Sequence, residues 1–250
     1  MRLDDYLARI GLSQPLPPTL DTLRRLHVAH LRTFPFDNLA IQRHGIIRTD
    51  IESIAEKFLG GTTGGYCFEQ NTLFAAALRE LGFEAALILA RVGSPERPLT
   101  HLVVRVEIDG KPWLADAGFG GEGPLEPLPL AEGVTVQDGL SYELRRDRNR
   151  WTLVMHCEDA SQVLYHFGDE PHTPADIEVA NYYTSTHPSS SFRQSLTIQR
   201  VTPEERLILR STMITRYRNG VKTETAIEPS QIRAVARELF GIELGEAPLL

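Results

Sequence analysis

The sequence predicts an α+β fold in which a helical N-terminal region precedes antiparallel β-structure and a mixed C-terminal region. Apolar residues recur with the 3.6-residue period of a helix through the first 84 residues. From there onward, segments rich in β-branched residues alternate with tight-turn signals, and an amphipathic stretch, SQIRAVARELFG, follows Pro229. We therefore predict a helical bundle over 1–84, β-structure over 85–180 and a mixed α/β region over 181–250.

The composition is that of an ordinary globular protein. Of the 250 residues, 42% are hydrophobic and 24% are charged, and the net charge is −7. A negative net charge argues against nucleic acid or an anionic membrane as the main partner, although it leaves room for local basic patches. The first residues, MRLDDYLARIGL, are acidic where a signal peptide is basic, and no apolar run is long enough to span a membrane. We expect a cytoplasmic protein.

The sequence contains two cysteines, Cys67 and Cys157, and eight histidines. In a reducing cytoplasm the two cysteines are not expected to form a disulfide. They are too few for a Cys-rich zinc site, and the histidines form no HExxH or HxH pattern. We predict no bound metal.

Three helices are predicted in the first region. The first spans 3–10 and is closed by Gly11, because glycine readily ends a helix. The second spans 20–31 and ends before Pro35. The third begins at Cys67, directly after two glycines and a tyrosine, and runs to Gly82.

The strands of the second and third regions are marked by β-branched residues and by turns. Segments 85–92, 101–108 and 111–117 are the first, and Asp109-Gly110 between the last two is a strong hairpin signal. Further strands are predicted at 141–147, 150–157, 195–201, 207–218 and 221–227, and Asn219-Gly220 is a second hairpin turn.

The hairpin at Asp109-Gly110 allows a geometric prediction. With these two residues as the turn, Val103 faces Asp116 across the ladder, and His101 lies diagonally from Asp116 on the same face. An imidazole and a carboxylate are then close enough to pair. The opposite face is apolar, which supports the register: it carries Leu102, Val104, Val106, Ile108, Trp113, Ala115 and Ala117.

Cys67 is predicted at the first turn of a helix, where free N–H groups and the helix dipole favour a thiolate. A cysteine activated by a histidine that a carboxylate orients is the arrangement for acyl transfer. The spacing alone leaves open whether this helix start meets the hairpin that carries His101 and Asp116. A buried, unreactive thiol is the alternative.

A series of motifs resembles the arylamine N-acetyltransferases along nearly the whole chain: YLARIG, PFDNL, GGYCFEQN, TH before a strand, WLADAGFG, LYHF and NYYTSTHPSSSF. The resemblance implies a helical bundle, a central antiparallel β-barrel and a C-terminal α/β lid. It also implies a Cys–His–Asp triad like that of cysteine proteases, formed by Cys67, His101 and Asp116, in agreement with the hairpin register.

The resemblance further implies a ping-pong reaction. Cys67 takes the acetyl group of acetyl-coenzyme A and passes it to an arylamine or hydrazine. By the same resemblance, the site residues beyond the triad fall into two groups. Coenzyme contacts are expected from Thr100, Gly121 and Gly123, and the walls of the substrate pocket from Phe36, Phe119, Ser185 and Phe192.

Three rival functions remain open at this stage. An amide synthase of similar sequence takes a bulkier acyl thioester in place of acetyl-coenzyme A. A Cys–His–Asp hydrolase or transglutaminase-like enzyme acts on peptides or glutamine. A catalytically inactive binding protein keeps the fold without the reaction.

The chain departs from the family pattern at two places beside the cysteine and in its length. Thr62-Thr63 stand where the family has arginine before GGYC, and Asp37 stands where it has glutamate. We expect the brace between that arginine and that acid to be missing, or replaced by hydrogen bonds from the threonines. The C-terminal region is also short, which predicts a shortened lid and a more open coenzyme cleft.

Overall fold

The computed structural model describes residues 1–43, 45–158 and 160–245. Its helices are α1 (Leu3–Arg9), α2 (Leu20–Thr33), α3 (Leu39–Gln42), α4 (Ile51–Gly60), α5 (Cys67–Glu80), α6 (Pro174–Thr186), α7 (Ser191–Gln194) and α8 (Ile232–Phe240). Its strands are β1 (Phe36–Asp37), β2 (Glu84–Val92), β3 (His101–Ile108), β4 (Lys111–Ala115), β5 (Leu128–Pro129), β6 (Gly133–Gln137), β7 (Leu140–Asp147), β8 (Arg150–Cys157), β9 (Ala160–Phe167), β10 (Thr197–Val201), β11 (Arg206–Arg210), β12 (Met213–Arg218) and β13 (Val221–Ala226). The predicted α+β fold class is confirmed.

The N-terminal helices begin where side chains satisfy their first N–H groups. Thr19 accepts a hydrogen bond from the N–H of Thr22 at the start of α2, and Asp50 accepts one from Ser53 at the start of α4. Helices α1, α2 and α5 match the three predicted ones, whereas α4 and the short α3 were not predicted. The helices pack around an apolar core that extends onto β3 and β4.

The eight strands from β2 to β9 form one antiparallel sheet in the order β5-β4-β3-β2-β9-β8-β7-β6. Its two edges approach each other, because Glu126, just before β5, exchanges two hydrogen bonds with Gln137 of β6, at 2.9 and 3.0 Å. The sheet is therefore a nearly closed barrel, as the family resemblance implied.

The hairpin between β3 and β4 has the predicted register. Val104 pairs with Ala115 and Ile108 with Lys111, and both turn residues have positive φ, 52° at Asp109 and 70° at Gly110. The apolar face of the hairpin packs into the helical core, with Leu102 and Val106 fully buried. The opposite face of the hairpin, which carries His101 and Asp116 as predicted, is therefore turned away from the helical core.

A second sheet has the order β1-β10-β11-β12-β13 and carries α8 on one side. Its first strand comes from the N-terminal region: Phe36 pairs with Gln199 of β10 and also forms a bridge with Gly65, two residues before Cys67. The N-terminal and C-terminal regions therefore share one sheet next to the cysteine loop. The boundaries 1–84, 85–180 and 181–250 stay a prediction, and the last five residues lie outside the described part. Within that part, no helix combines the length and apolar character needed to cross a membrane.

Candidate active site

Cys67 is the first residue of α5, and only 2% of its surface is exposed. The helix starts there because Glu69 reaches back to the residue before it, accepting a hydrogen bond of 3.2 Å from the N–H of Tyr66. At the first position of a helix the backbone N–H has no acceptor within the helix. The sulfur is thus next to unsatisfied N–H groups and the positive end of the helix dipole.

The two glycines before Tyr66 are required by close packing. A Cβ at Gly64 would lie 1.8 Å from the carbonyl oxygen of Pro35, and one at Gly65 would lie 2.4 Å from a carboxylate oxygen of Glu69. Neither glycine has a positive φ. Their role is to let the loop that leads to Cys67 lie directly against the backbone of Pro35 and the side chain of Glu69.

Two acidic side chains below this loop, Asp37 and Glu69, are held in place without the arginine that the family has before GGYC. Asp37 accepts hydrogen bonds from the N–H groups of Gly64, at 2.9 Å, and Leu39, at 3.1 Å. Glu69 forms an ion pair of 2.7 Å with Lys57. Burial raises the pKa of both carboxyl groups, and the charge of Lys57 opposes that rise in each.

Lys57 therefore supplies the positive charge of the brace. Both expected alternatives, a missing brace and one made by the threonines, are wrong: Lys57 pairs with Glu69, and among the described residues neither Thr62 nor Thr63 makes a side-chain hydrogen bond.

His101 and Asp116 form a buried, hydrogen-bonded pair. His101 Nε2 donates to Asp116 Oδ2 over 2.8 Å, and both side chains are almost completely buried. The other carboxylate oxygen accepts from the Asn71 amide at 2.9 Å and from the Gly118 N–H at 3.0 Å. Three hydrogen bonds, one to Oδ2 and two to Oδ1, thus hold the carboxylate in one orientation.

This pairing shifts the pKa of both groups. Burial alone would lower the pKa of His101, but the charge and hydrogen bond of Asp116, with a smaller contribution from Cys67, raise it to about 10. Burial alone would raise the pKa of Asp116, but His101, Asn71 and Gly118 bring it below its ordinary value. The pair is therefore an imidazolium and a carboxylate at neutral pH.

Cys67 lies beside this pair. Its sulfur lies 3.7 Å from the carbonyl oxygen of Thr100, the residue before His101, and its interaction with the His101 ring contributes to the raised pKa of that imidazole. With Nε2 engaged by Asp116, Nδ1 is the ring nitrogen left for the sulfur. The structure thus brings together the helix start and the hairpin, which the sequence alone left open.

A cavity of about 680 Å³ opens onto the sulfur and the imidazole. Of the residues expected around the site, Phe36, Phe119, Phe192 and Thr100 line it. The Phe119 ring meets the His101 ring edge-on, with 5.2 Å between centroids. An aromatic guest thus has rings to pack against next to the sulfur.

Three other expected contacts lie outside the lining of this cavity. Ser185 is buried and donates its hydroxyl to the carbonyl of Asn181 within α6, at 2.8 Å. The Gly121 N–H donates to Gln199 at 2.7 Å, and the Gly123 carbonyl accepts from Arg206 at 2.6 Å. The glycines therefore shape the loop that carries Phe119, and Ser185 belongs to the packing of a helix.

The chain is similar to known proteins over nearly its whole length. A family model described as N-acetyltransferase matches residues 19–249, and the arylamine N-acetyltransferase of Escherichia coli (strain K12) is 35% identical, covering 98% of this chain and 90% of that protein. The chain belongs to the arylamine N-acetyltransferase family. The resemblance found in the motifs is confirmed.

Other relatives agree. The arylamine N-acetyltransferase of Mycolicibacterium smegmatis is 36% identical over 98% of this chain and 94% of its own length. The solved structure of the Mycobacterium abscessus enzyme superposes with a TM-score of 0.91 at 35% identity, covering 98% of this chain and 91% of that one. The Mycobacterium marinum enzyme, solved in complex with CoA, gives a TM-score of 0.91 at 31% identity, covering 98% and 95% of the two chains.

As an arylamine N-acetyltransferase the protein is an acyltransferase, and acetyl-coenzyme A is the acyl donor of its family. Both predictions are confirmed. Across the described residues, no group of three or more histidine, cysteine, aspartate or glutamate side chains is arranged to hold a metal ion.

The sequence analysis missed several residues of this candidate site. Asn71, which holds Asp116, lies four residues after Cys67 and hence one turn along the same helix face, a spacing that was available as a signal. Tyr165 packs its ring 5.0 Å from His101, and no local pattern indicated that contact. Glu122 and Arg210 also line the cavity, on segments that are far apart in sequence.

Proposed function

We propose that this protein transfers the acetyl group of acetyl-coenzyme A to an arylamine or hydrazine by a ping-pong mechanism through acetyl-Cys67. The observation that carries the proposal is the contact of one cavity with both the Cys67 sulfur and the His101 ring, which Asp116 orients from behind. Both cysteines of the chain are free thiols, which suits a cytoplasmic enzyme.

In the first half-reaction the thiol proton of Cys67 resides on His101, and the thiolate attacks the carbonyl carbon of the thioester. The resulting oxyanion lies at the start of α5, where the N–H of Cys67 donates to it. The carbon–sulfur bond to coenzyme A then breaks. The leaving thiolate takes the proton from His101, which leaves a thioester on Cys67 and neutral imidazole.

In the second half-reaction the amine nitrogen attacks the acetyl carbon on Cys67. His101 removes the proton that the nitrogen loses, and the bond between the acetyl carbon and the Cys67 sulfur breaks. The products are the N-acetyl amide and the original thiolate–imidazolium pair. Asp116 keeps its charge throughout and stabilises the imidazolium that forms in each half.

The aromatic wall favours a flat acceptor. Phe119 lies beside His101, and Phe36 and Phe192 line the same cavity with 6.0 Å between their centroids. An aromatic ring held between such faces presents its exocyclic nitrogen to the sulfur while water is excluded.

Intact-protein mass spectrometry tests the proposal. After brief exposure to acetyl-coenzyme A, the wild type and Cys157→Ala gain one acetyl group, Cys67→Ala gains none, and added aniline removes the label. Cys157 is the matched control because it is the chain's other buried free thiol.

Two outcomes would reject parts of the proposal. A thiol at Cys67 that alkylates rapidly yet never acquires acetyl points to a bulkier acyl donor, as in an amide synthase. A sluggish thiol without acetylation means that the triad does not activate the cysteine.

A further inference from the structure

The wall of the catalytic cavity carries two arginines, Arg97 and Arg210, although the protein as a whole has a net charge of −7. Arg97 lies in the segment between β2 and β3, close to Thr100. Arg210 ends β11 in the other sheet. The two side chains thus reach the cavity from different parts of the fold, and neither is part of the proposed triad chemistry.

Arg210 is held in place by a buried acid. Glu122 is 5% exposed and accepts from Arg210 Nη2 at 2.7 Å and from Nη1 at 3.4 Å. The Tyr217 hydroxyl donates to the same carboxylate at 3.4 Å. Glu122 thereby fixes the plane of the guanidinium from the protein side, as paired Arg–carboxylate geometry does.

The guanidinium retains unused donors. Arginine has five N–H groups, and the Arg210 side chain, half exposed, makes no other hydrogen bond within the described part of the chain. Here the acid is buried and the cation faces the cavity.

Arg97 adds a second positive charge. Its side chain is exposed and has no carboxylate within ion-pair distance among the described residues. Its own backbone carbonyl accepts a hydrogen bond from Arg91, which ties its loop to the end of β2. Outside the triad, the charged residues that line the cavity are therefore two arginines and one acid, Glu122.

We infer that Arg210, oriented by Glu122 and assisted by Arg97, binds an anionic group of a molecule in the cavity. The inference rests on the proposed function. The chemistry that the site recognises is a carboxylate or phosphate oxygen, which accepts from a guanidinium. Two molecules of the proposed reaction bring such a group: an aromatic amine that carries a carboxylate, and the coenzyme with its phosphates.

The test uses two matched pairs of probes. Para-aminobenzoate and its neutral amide compare acceptors with and without the charge. Acetyl-coenzyme A and S-acetylpantetheine compare donors with and without phosphates. In a ping-pong reaction kcat/KM for the donor and for the acceptor report separate half-reactions, so the two sources of the anion are resolved.

Three variants complete the design. Arg210→Met lowers kcat/KM for the charged member of one pair about tenfold, the effect of losing a charge-assisted hydrogen bond, and leaves the neutral member unchanged. Glu122→Gln raises kcat/KM for the same charged probe, because it removes the negative charge beside Arg210 while the amide oxygen still accepts a hydrogen bond from the guanidinium. Arg218→Met is the control, since Arg218 lies on β12, pairs with Glu205 and does not line the cavity.

Loss of charge discrimination in the acceptor pair assigns the site to the acceptor, and loss in the donor pair assigns it to the coenzyme. Equal rate changes for charged and neutral probes in both Arg210→Met and Glu122→Gln would overturn the inference. Failure of the wild type to use even the neutral pair would instead reject the proposed function.

Discussion

Asp37 accepts a hydrogen bond of 2.9 Å from the backbone N–H of Gly64, so a buried carboxylate holds the loop that leads into Cys67. Glu69 holds the next part of the loop in the same way through Tyr66. Two buried acids therefore lie next to the cysteine, and Lys57 is the cation whose charge lowers the pKa of both. The placement of the proposed nucleophile depends on that lysine.

Replacing Lys57 with methionine is expected to lower the free energy of unfolding by about 2–4 kcal/mol, because Glu69 is left as an unpaired buried charge. Alkylation of Cys67 by iodoacetamide slows as the loop loses its support. Urea unfolding and alkylation rates at pH 7 measure both effects. Lys57→Arg, which keeps the charge, is the matched control.

The pH dependence of this effect has a definite sign. Burial raises the pKa of Asp37 and Glu69, and without Lys57 the pKa of each rises further. A carboxyl group whose pKa is higher in the folded state destabilises the fold as pH rises and the group ionises. The stability difference between Lys57→Met and wild type should therefore shrink as pH is lowered to 5. A difference that stays constant with pH would contradict this account.

Asn71 is expected to be a positioning residue for the triad. Its amide nitrogen donates to Asp116 and to the Leu102 carbonyl, and its oxygen accepts from the Ala117 N–H at 3.0 Å, so Asn71→Leu removes all three bonds without emptying the site. We expect acetylation of Cys67 to slow about tenfold or more, because Asp116 loses a hydrogen bond that fixes its orientation, and because an imidazolium that holds its proton more tightly is a weaker acid toward the leaving thiolate.

The neighbouring Thr72 is the control for Asn71. Its hydroxyl is buried without a hydrogen-bond partner in the described part of the chain, so Thr72→Val should preserve the rate and keep or increase stability. A pH–rate profile distinguishes positioning from general damage: in Asn71→Leu the alkaline limb, set by the His101 pKa of about 10, moves to higher pH, because a carboxylate that has lost a hydrogen bond is more basic and holds the imidazolium proton more tightly. An unshifted limb would indicate a structural role only.

Two buried histidines of α2 predict sensitivity to acid. Burial lowers the pKa of His27 to about 4 and that of His30 to about 3. His30 is held neutral between the Tyr6 hydroxyl, at 2.9 Å, and the Gln70 side chain, at 2.8 Å. Because each folded-state pKa lies below the unfolded value, their stabilisation is complete above pH 6.5 and is lost as pH falls toward 4.

At pH 5 this loss amounts to about 2 kcal/mol for each histidine. Urea unfolding at pH 7 and at pH 5 measures it. His27→Asn keeps a donor for the Leu125 carbonyl, which His27 Nδ1 contacts at 2.9 Å, and removes one titrating group. We expect the variant to be less stable at pH 7 but to lose about half as much stability between the two pH values. An equal loss in both proteins would show that other groups dominate.

The elements that could be predicted from the sequence are those whose structure is determined by neighbouring residues. The β3–β4 hairpin is the best case, because its two-residue turn fixes a register that brings His101 beside Asp116. Helix α6 escaped prediction, since its buried face includes Asn181 and Thr184 and so lacks an apolar period. Strand β1 has only two residues and exists because β10 pairs with it.

The candidate site likewise has features that its local sequence predicts and features that depend on the packing of distant segments. The position of Cys67 at a helix start followed from its neighbours in sequence, whereas its approach to His101 depends on the packing of α5 against β3. The role of Lys57 could not be predicted from the sequence either. Nothing in its local sequence shows that the chain returns to place Glu69 beside it.

From the pairing of β1 with β10 we expect the protein to become reactive late in its synthesis. Asp37 donates its N–H to the Gly65 carbonyl at 3.1 Å, so the cysteine loop lies against a strand whose other edge is covered by β10. A ribosome makes Cys67 early and β10 late, and domains fold only once their partner segments have emerged. An unfinished chain therefore carries the cysteine without its support, and we expect acetyl acceptance only after nearly the whole polypeptide has left the exit tunnel.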